Sequence, residues 1–413
     1  MEIDLIIYLA QDWKSYRQSS MGYFTRAPFI KALSHRLDLR ILCVNRPITP
    51  ILTLLRKPGK ILEWLKTKKR LFRIENNLFL FTPFSLVHDM AAIYFPWVEK
   101  MNRWFLSWQM KRVLNKLKFD SRRRCSLIFH PFQYNYLNLV NERLKIYEVY
   151  DAYSSNIHYP TNLNKKISEY ENKVLKKIDM VFAVSDTLFQ EKSKFHNEVH
   201  FTPHGVEFDL FTQALNNELI IPEDLRSVPK PRIGFTGTIS MLLDFKLLNY
   251  LAETNPRWSF VLIGHMLGRR KLFSNRKFRS LLSLQNVYYL GRKDYELLPC
   301  YFKYLDVTLL PYNTELEFVR NVNSVKTYQY LASGKPVVST DTPWVRPFNR
   351  VIKIARDNNE FAEKIREAIS ETSSQHIQQR IDIARNSSWG KRAEEVAKLI
   401  EIKFDKLEKE FVQ

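Results

Sequence analysis

The feature that most constrains the fold is an alternation of short apolar runs with longer amphipathic segments, which proceeds once, lapses and starts again. It opens with "IDLIIYLA", continues through the helix-like "RAPFIKALSHR" to "LRILCV", and later brings "NNLFLFTPF", "CSLIF", "KIYEVY" and "MVFAVS". These runs are apolar throughout rather than at every second residue, the pattern of strands buried on both faces of a parallel sheet. Between them, "NLNKKISEYENKVLKKI" spaces Ile167, Val174 and Ile178 along one side of a helix. Strands separated by helices imply an α/β domain.

The pattern lapses over residues 209–230, where "LFTQALNNELIIPEDLRSVPKP" has no sustained period and ends among prolines. It restarts with "RIGFTGTIS" as strand and turn, "LLDFKLLNYLAET" as helix and "WSFVLIG" as strand, then "NVYYLG", "LDVTLLPY" and "KPVVST". A chain of 413 residues can hold two cores. The expected organisation is an α/β domain over 1–208, a linker over 209–230 and a second α/β domain over 231–390. "FAEKIREAISETS" and "WGKRAEEVAKLIEIKFDKLEK" read as two closing helices. Cys43, Cys125 and Cys300 lie far apart, which fits neither a disulfide framework nor a thiolate metal site and suits a reducing compartment.

Charge is uneven. Of a formal net charge of +21, residues 1–124 carry 24 Lys/Arg against 9 Asp/Glu. Such a concentration can draw nucleic acid, an anionic membrane or a phosphate-bearing substrate. No zinc-finger spacing, RNA-recognition signature or helix-turn-helix unit accompanies it, so nucleic acid is disfavoured. "LLRKPGKILEWLKTKKRLFR", residues 54–73, holds eight basic residues and one acid, Glu63. Residues 94–119 place Trp97, Met101, Trp104 and Trp108 at helical spacing beside Val98 and Phe105, with Lys100, Arg103, Lys111, Arg112, Lys116 and Lys118 at other positions. Two readings stay open: an interfacial helix on an anionic membrane, or aromatics closing the first domain's own core. No run reaches about 18 apolar residues, and "MEIDLIIYLAQDW" lacks a basic leader. A cytoplasmic location is expected, peripheral on the inner face of the membrane.

The dinucleotide fingerprint, the Walker loop, HExxH and GxSxG are all missing from their expected contexts. "GFTG" sets Gly234 and Gly237 around a strand-to-helix turn, where small residues let backbone amides approach a ligand or simply make a tight turn. "NSVKTYQYLASGKPV" puts Ser324 and Lys326 at a helix start, whose unsatisfied donors and positive dipole suit a diphosphate. Asp151, at the end of "KIYEVY", is the candidate general base. His130 in "IFHPF" and His204 in "TPHGV" can bind acceptor or phosphate, and Asp12 and Glu169 are further acidic candidates. No tight aspartate pair marks a metal site, and no metal or cofactor is assigned.

The second half resembles GT-B glycosyltransferases, especially bacterial polysaccharide enzymes of the teichuronic-acid biosynthesis type. The resemblance rests on "RIGFTGTISMLLDFKLL", "WSFVLIG", "NVYYLGRKDYELLPCYFKYLDVTLLPY" and "SVKTYQYLASGKPVVST", joined by "ISEYENKVLKKIDMVFAVSDTLF" and "HFTPHGVEFDLF" in the first half. It implies two Rossmann-like domains facing an interdomain cleft, with residues 391–413 as a terminal helix returning to the first; Trp389 reads either as its anchor or as ordinary helix packing. It implies a nucleotide-sugar donor, UDP-linked, held by Gly237 and by the turn Ser324, Val325 and Lys326. Gln329 then falls where the family places an acid near the ribose, and Gly291 to Tyr295, with Arg292, near the base. The family's two glutamates correspond to Asn321 and Gln329, so an acid-pair retaining mechanism does not carry over; an inverting reaction would need one carboxylate, such as Asp151. The acceptor implied is a lipid-linked glycan or polysaccharide precursor. Another nucleotide-sugar enzyme of the same fold, or a non-catalytic assembly protein, remains an alternative.

Overall fold

The computed structural model describes residues 2–10, 13, 26–36, 38–49, 70–87, 95–119, 121–153, 159–321 and 323–412. It divides into two compact units. The first takes the described residues of Met1–Arg17 and Ile30–Thr202 with Ala393–Gln413, and the second those of Gln18–Phe29 with Pro203–Arg392.

The first unit is built on an eight-stranded sheet: β1 (Ile3–Tyr8), β2 (Leu39–Val44), β3 (Leu71–Glu75), β4 (Leu78–Phe81), β5 (Arg124–Ile128), β6 (Leu144–Val149), β7 (Met180–Ala183) and β8 (Val199–Phe201). Their order is β3-β4-β2-β1-β5-β6-β7-β8. Only β3 with β4 is antiparallel; β1 lies parallel to both β2 and β5. All six residues of β1 are buried, as expected for a strand covered on both faces. Three helices of this unit matter below: α1 (Pro96–Leu117), α2 (Thr161–Leu175) and α3 (Asp186–Ser193). On α2, Ile167 and Val174 are fully buried; Ile178, expected on the same helix, is buried just beyond its end. Ser185 caps α3, its hydroxyl accepting from the Leu188 N–H at 3.2 Å.

The second unit has six strands, all parallel: β9 (Arg232–Thr236), β10 (Ser259–Ile263), β11 (Val287–Gly291), β12 (Val307–Leu310), β13 (Val337–Thr340) and β14 (Ile352–Ala355). Their order β11-β10-β9-β12-β13-β14 reverses between β9 and β12. That is the doubly wound arrangement, in which the carboxyl ends flanking the reversal form a ligand crevice. The first sheet reverses likewise between β1 and β5. In the second unit, α4 (Phe245–Thr254) begins at Asp244, whose carboxylate accepts from the Lys246 and Leu247 amides, both at 2.9 Å. Helix α5 (Val325–Ala332) follows β12. Phe211, Ala214, Leu225 and Val228, within the stretch that lacks periodicity in the sequence, are buried in this unit's core.

The closing segment holds a helix that the sequence pattern does not announce, Ser374–Asn386, before α6 (Trp389–Val412). Within the first unit, Arg123 bonds Asp405 at 2.7 Å and Glu408 at 2.9 Å, and Lys403 meets Glu198 at 3.2 Å. Among the described residues, no helix is long and apolar enough to cross a membrane.

Candidate functional site

In the second unit, the carboxyl ends beside the sheet reversal bring three loops together. Gly237 follows β9 with φ +138°, and Gly264 follows β10 with φ +147°. Both are conformations that favour glycine. A β-carbon on Gly264 would stand 1.7 Å from the Gly237 carbonyl oxygen, and one on Gly237 would stand 1.8 Å from Lys326 Cε. The Lys326 side chain therefore lies directly over the Gly237 backbone, with Nζ 5.9 Å from the Phe235 ring centre. The "GFTG" turn is thus a place of close approach, and what approaches it is a cation.

Two tyrosines hold this arrangement. The buried Tyr330 hydroxyl, one turn along α5 from Lys326, accepts from the Thr236 N–H at 2.8 Å, so α5 is pinned to the last residue of β9. Ser324, at the N-cap of α5, makes no capping bond; its hydroxyl pairs with that of Tyr312 at 3.0 Å instead. Ser324 is buried, while Val325 and Lys326 are half-buried in the first turn, where backbone donors lack intrahelical partners.

His265, just after Gly264, adds to the positive field. Burial lowers its pKa, and the charges of Arg292 and Lys326 lower it further. A ring within reach of both cations marks where a multiply charged anion would be neutralised. The exposed Arg292 stands immediately after β11. Gln329 is buried on α5 and donates through Nε2 to the Tyr295 hydroxyl at 3.2 Å. Tyr295 is raised well above its ordinary pKa, by burial and by a hydrogen-bonded Glu207 carboxylate. A carboxylate therefore stands two hydrogen bonds from the neutral Gln329, through the Tyr295 hydroxyl. Asn321 ends the short helix Glu317–Asn321.

In the first unit, His130 and Asp151 follow the adjacent strands β5 and β6. His130 Nδ1 accepts the Phe132 N–H at 3.2 Å, so the neutral ring carries its proton on Nε2. Gln133 fixes this turn, accepting from the Phe129 and His130 amides at 2.7 and 2.9 Å and donating to the Tyr8 carbonyl at 2.8 Å. Burial, with the Arg46 charge, pushes the His130 pKa down to about 3. The ring is a neutral hydrogen-bonding group at physiological pH, not a proton carrier. The half-buried Asp151 accepts the Ala152 N–H at 3.0 Å. Desolvation pushes its carboxyl up to about 7, with the Ala152 N–H opposing the rise. Tyr153 links the two: its ring meets the His130 ring edge-on at 4.5 Å, and its N–H donates to the Asp151 carbonyl at 3.0 Å.

The other candidates lie elsewhere. Asp12 falls outside the described residues, as do residues 54–69 of the first basic segment. Glu169 is exposed on α2 and pairs with Lys166 at 3.7 Å. His204 is buried in the second unit with its ring 6.3 Å from that of Trp389, and burial with the charges of Arg26 and Arg392 drives its pKa well down. Among the described residues no group of three or more His, Cys, Asp or Glu is assembled to hold a metal. Sequence reasoning missed His265, Tyr330 and Glu207, and reached Tyr295 only as the end of the segment that the resemblance sets near the base. His265 and Tyr330 stand beside strand and helix motifs already under suspicion, which was the signal available.

Residues 230–371 match the family described as Glycosyl transferases group 1. Over 207 residues the chain is 30% identical to a Bacillus subtilis (strain 168) protein named as the teichuronic acid biosynthesis glycosyltransferase TuaH, covering 48% of this chain and 50% of that one. The chain thus spans about half the length of the curated relative it matches. The fold is similar to that of sucrose-phosphate synthase from Thermosynechococcus elongatus, with a TM-score of 0.68 and 12% identity over 98% of this chain and 100% of that one. Anabaena Alr3699/HepE, solved in complex with UDP and glucose, is similar at a TM-score of 0.61 and 14% identity, over 96% and 99% of the two chains. At such identities the likeness is one of fold. The chain has the α/β GT-B fold, and its residues 230–371 are similar to the group 1 glycosyl transferases.

Proposed function

We propose that the protein is a glycosyltransferase that moves a sugar from a UDP-linked donor to a lipid-linked glycan or polysaccharide precursor. The observation that carries this reading is the packing of Lys326 over Gly237, itself pressed against Gly264, beside the sheet reversal and inside the segment that matches the glycosyltransferase family. The diphosphate would meet the first turn of α5, formed by Ser324, Val325 and Lys326, with Arg292 and His265 completing the positive field. Helix-end amides and fixed cations stabilise a leaving diphosphate without reorganising. Gln329 would offer the nucleotide ribose a neutral hydrogen bond, backed by Tyr295 and Glu207. UDP is chosen because a structural neighbour was solved with UDP and glucose.

The acceptor is assigned to the first unit, and its class follows the teichuronic acid biosynthesis in the name of the Bacillus relative. Asp151, with a pKa near neutrality, takes the acceptor hydroxyl's proton as that oxygen attacks the anomeric carbon and the bond to the diphosphate breaks. His130 orients the acceptor through its Nε2–H. A single displacement, in which that oxygen attacks from the side opposite the departing diphosphate, inverts the anomeric centre. The protein works at the cytoplasmic, anionic face of the membrane, where lipid-linked acceptors and nucleotide sugars meet.

The test is a panel of nucleotide sugars offered with extracted lipid-linked acceptors, reading product mass, linkage and anomeric configuration. Transfer with inversion supports the whole reading; transfer with retention removes Asp151 as base and keeps the donor site. A second reading, a non-catalytic assembly protein, is favoured by Asn321 and Gln329 standing where the family has acids. It predicts membrane flotation without transfer to any acceptor.

A further inference from the structure

Helix α1 has two unlike sides. One is set into the first unit: Val98, Leu106, Met110, Val113 and Leu114 are buried. The other carries three tryptophans in the open, Trp97 at 64%, Trp104 at 69% and Trp108 at 41% exposure. At 3.6 residues per turn these three fall within about 40° of arc and extend over about 16 Å of helix axis, a straight shallow stripe. The alternative that these aromatics close the domain's own core therefore fails for the tryptophans. It holds for Val98 and in part for Phe105, which is half-buried.

The stripe is rigid and flanked by cations. Phe105 stacks between Trp104, at 6.5 Å and 26°, and Trp108, at 5.8 Å and 12°, and meets Phe84 edge-on at 4.5 Å. Exposed Lys100 and Lys111 lie to one side, and Arg112 holds its guanidinium 3.8 Å from the Trp108 ring centre on the other. Arg103 is engaged inward, donating to the Asn135 and Asn138 carbonyls at 2.6 and 3.0 Å. Glu99 is the helix's one acid.

We propose that this face of α1 docks the protein on an anionic lipid bilayer, with Trp97, Trp104 and Trp108 seated at the level of the headgroups. This deepens the membrane-side placement proposed above and rests on it for the acceptor. Indole rings favour that depth, having an apolar body and one N–H to turn toward water. Lys100, Lys111 and Arg112 are placed to meet lipid phosphates, and the 24 basic residues against 9 acidic ones in residues 1–124 add a longer-range attraction. A protein partner is disfavoured by the lysines beside the stripe, since the cores of protein interfaces are depleted in lysine. A long straight ridge also suits a plane better than a pocket.

The experiment is flotation of the full chain with vesicles of phosphatidylcholine alone and of phosphatidylcholine mixed with phosphatidylglycerol. Binding is expected only to the mixed vesicles. The triple variant W97A/W104A/W108A should lose about tenfold or more in partitioning, while UDP-sugar affinity, set by the other unit, stays unchanged and reports intact folding. K100Q/K111Q/R112Q should weaken binding and flatten its salt dependence. Equal flotation of the tryptophan variant and the parent, or indifference to phosphatidylglycerol, overturns the proposal. So does a fall in self-association of the tryptophan variant without a change in flotation, which would make the stripe a protein interface. Docking without transfer defeats the proposed reaction and leaves this surface standing; transfer to a water-soluble acceptor without docking does the reverse.

Discussion

Lys326 performs two jobs that separate variants can pull apart. Its aliphatic stem covers Gly237, and its ammonium faces the place assigned to the donor diphosphate. K326M keeps most of the stem and removes the charge; it should weaken UDP-sugar binding about 10- to 100-fold in calorimetry, as expected for losing a charge-assisted contact. Gly264 has no such latitude. G264A forces a β-carbon into the Gly237 carbonyl at φ +147°, and should cost about 1–3 kcal/mol in denaturant unfolding. Asp151 gives a pH test. Its pKa of about 7 in the folded protein lies above the ordinary carboxyl value of 3.8, so charging it opposes folding. That destabilisation is absent below about pH 4, grows between about pH 4 and 7, and is constant above. D151N should therefore gain melting temperature relative to the parent as pH rises through that window. Transfer by the parent should climb through about pH 7 as the base ionises, and D151N should lose both the rate and the climb.

At the scale of elements, the bond from the Thr236 N–H to the Tyr330 hydroxyl decides where Lys326 sits. Y330F leaves that buried N–H without its partner and should cost about 1–3 kcal/mol in stability. It should also raise the Michaelis constant for the donor, because α5 loses its tether to β9. The strands of both sheets were legible in the sequence because burial on two faces writes an unbroken apolar run, as in "IDLIIY" and "VTLL". Three of the edge strands were not: β3 has no buried residue, β8 is three residues long and only two of the four residues of β14 are buried, whereas the edge strand β11 was read from "NVYYLG". The helix Ser374–Asn386 is polar along most of its length and blends with its surroundings. Lys326 and Gly237 could be named from the chain alone because their motifs are local, and Gln329 through the family resemblance. His265 and Glu207 could not, since each matters only through residues brought beside it from distant parts of the chain. The aromatic helix α1 lay between: the sequence announced a helix, and only burial could say which rings face outward.

For the molecule as a whole, the two units divide the labour proposed here. The second holds the cationic, glycine-lined turn and the match to the transferase family; the first holds Asp151, His130, the exposed tryptophans and the residues where most of the net charge resides. Each sheet reverses in the doubly wound manner, and Gly237, Gly264, His130 and Asp151 follow strands at or next to the reversal. The most direct test of the central claim is a transfer assay with UDP-sugars and extracted lipid-linked acceptors, comparing the parent chain with K326M by product mass. The parent should yield an acceptor one sugar heavier, and K326M little or none at the same donor concentration. Equal product from both, or a parent that binds UDP-sugar and transfers to no acceptor, would contradict the claim.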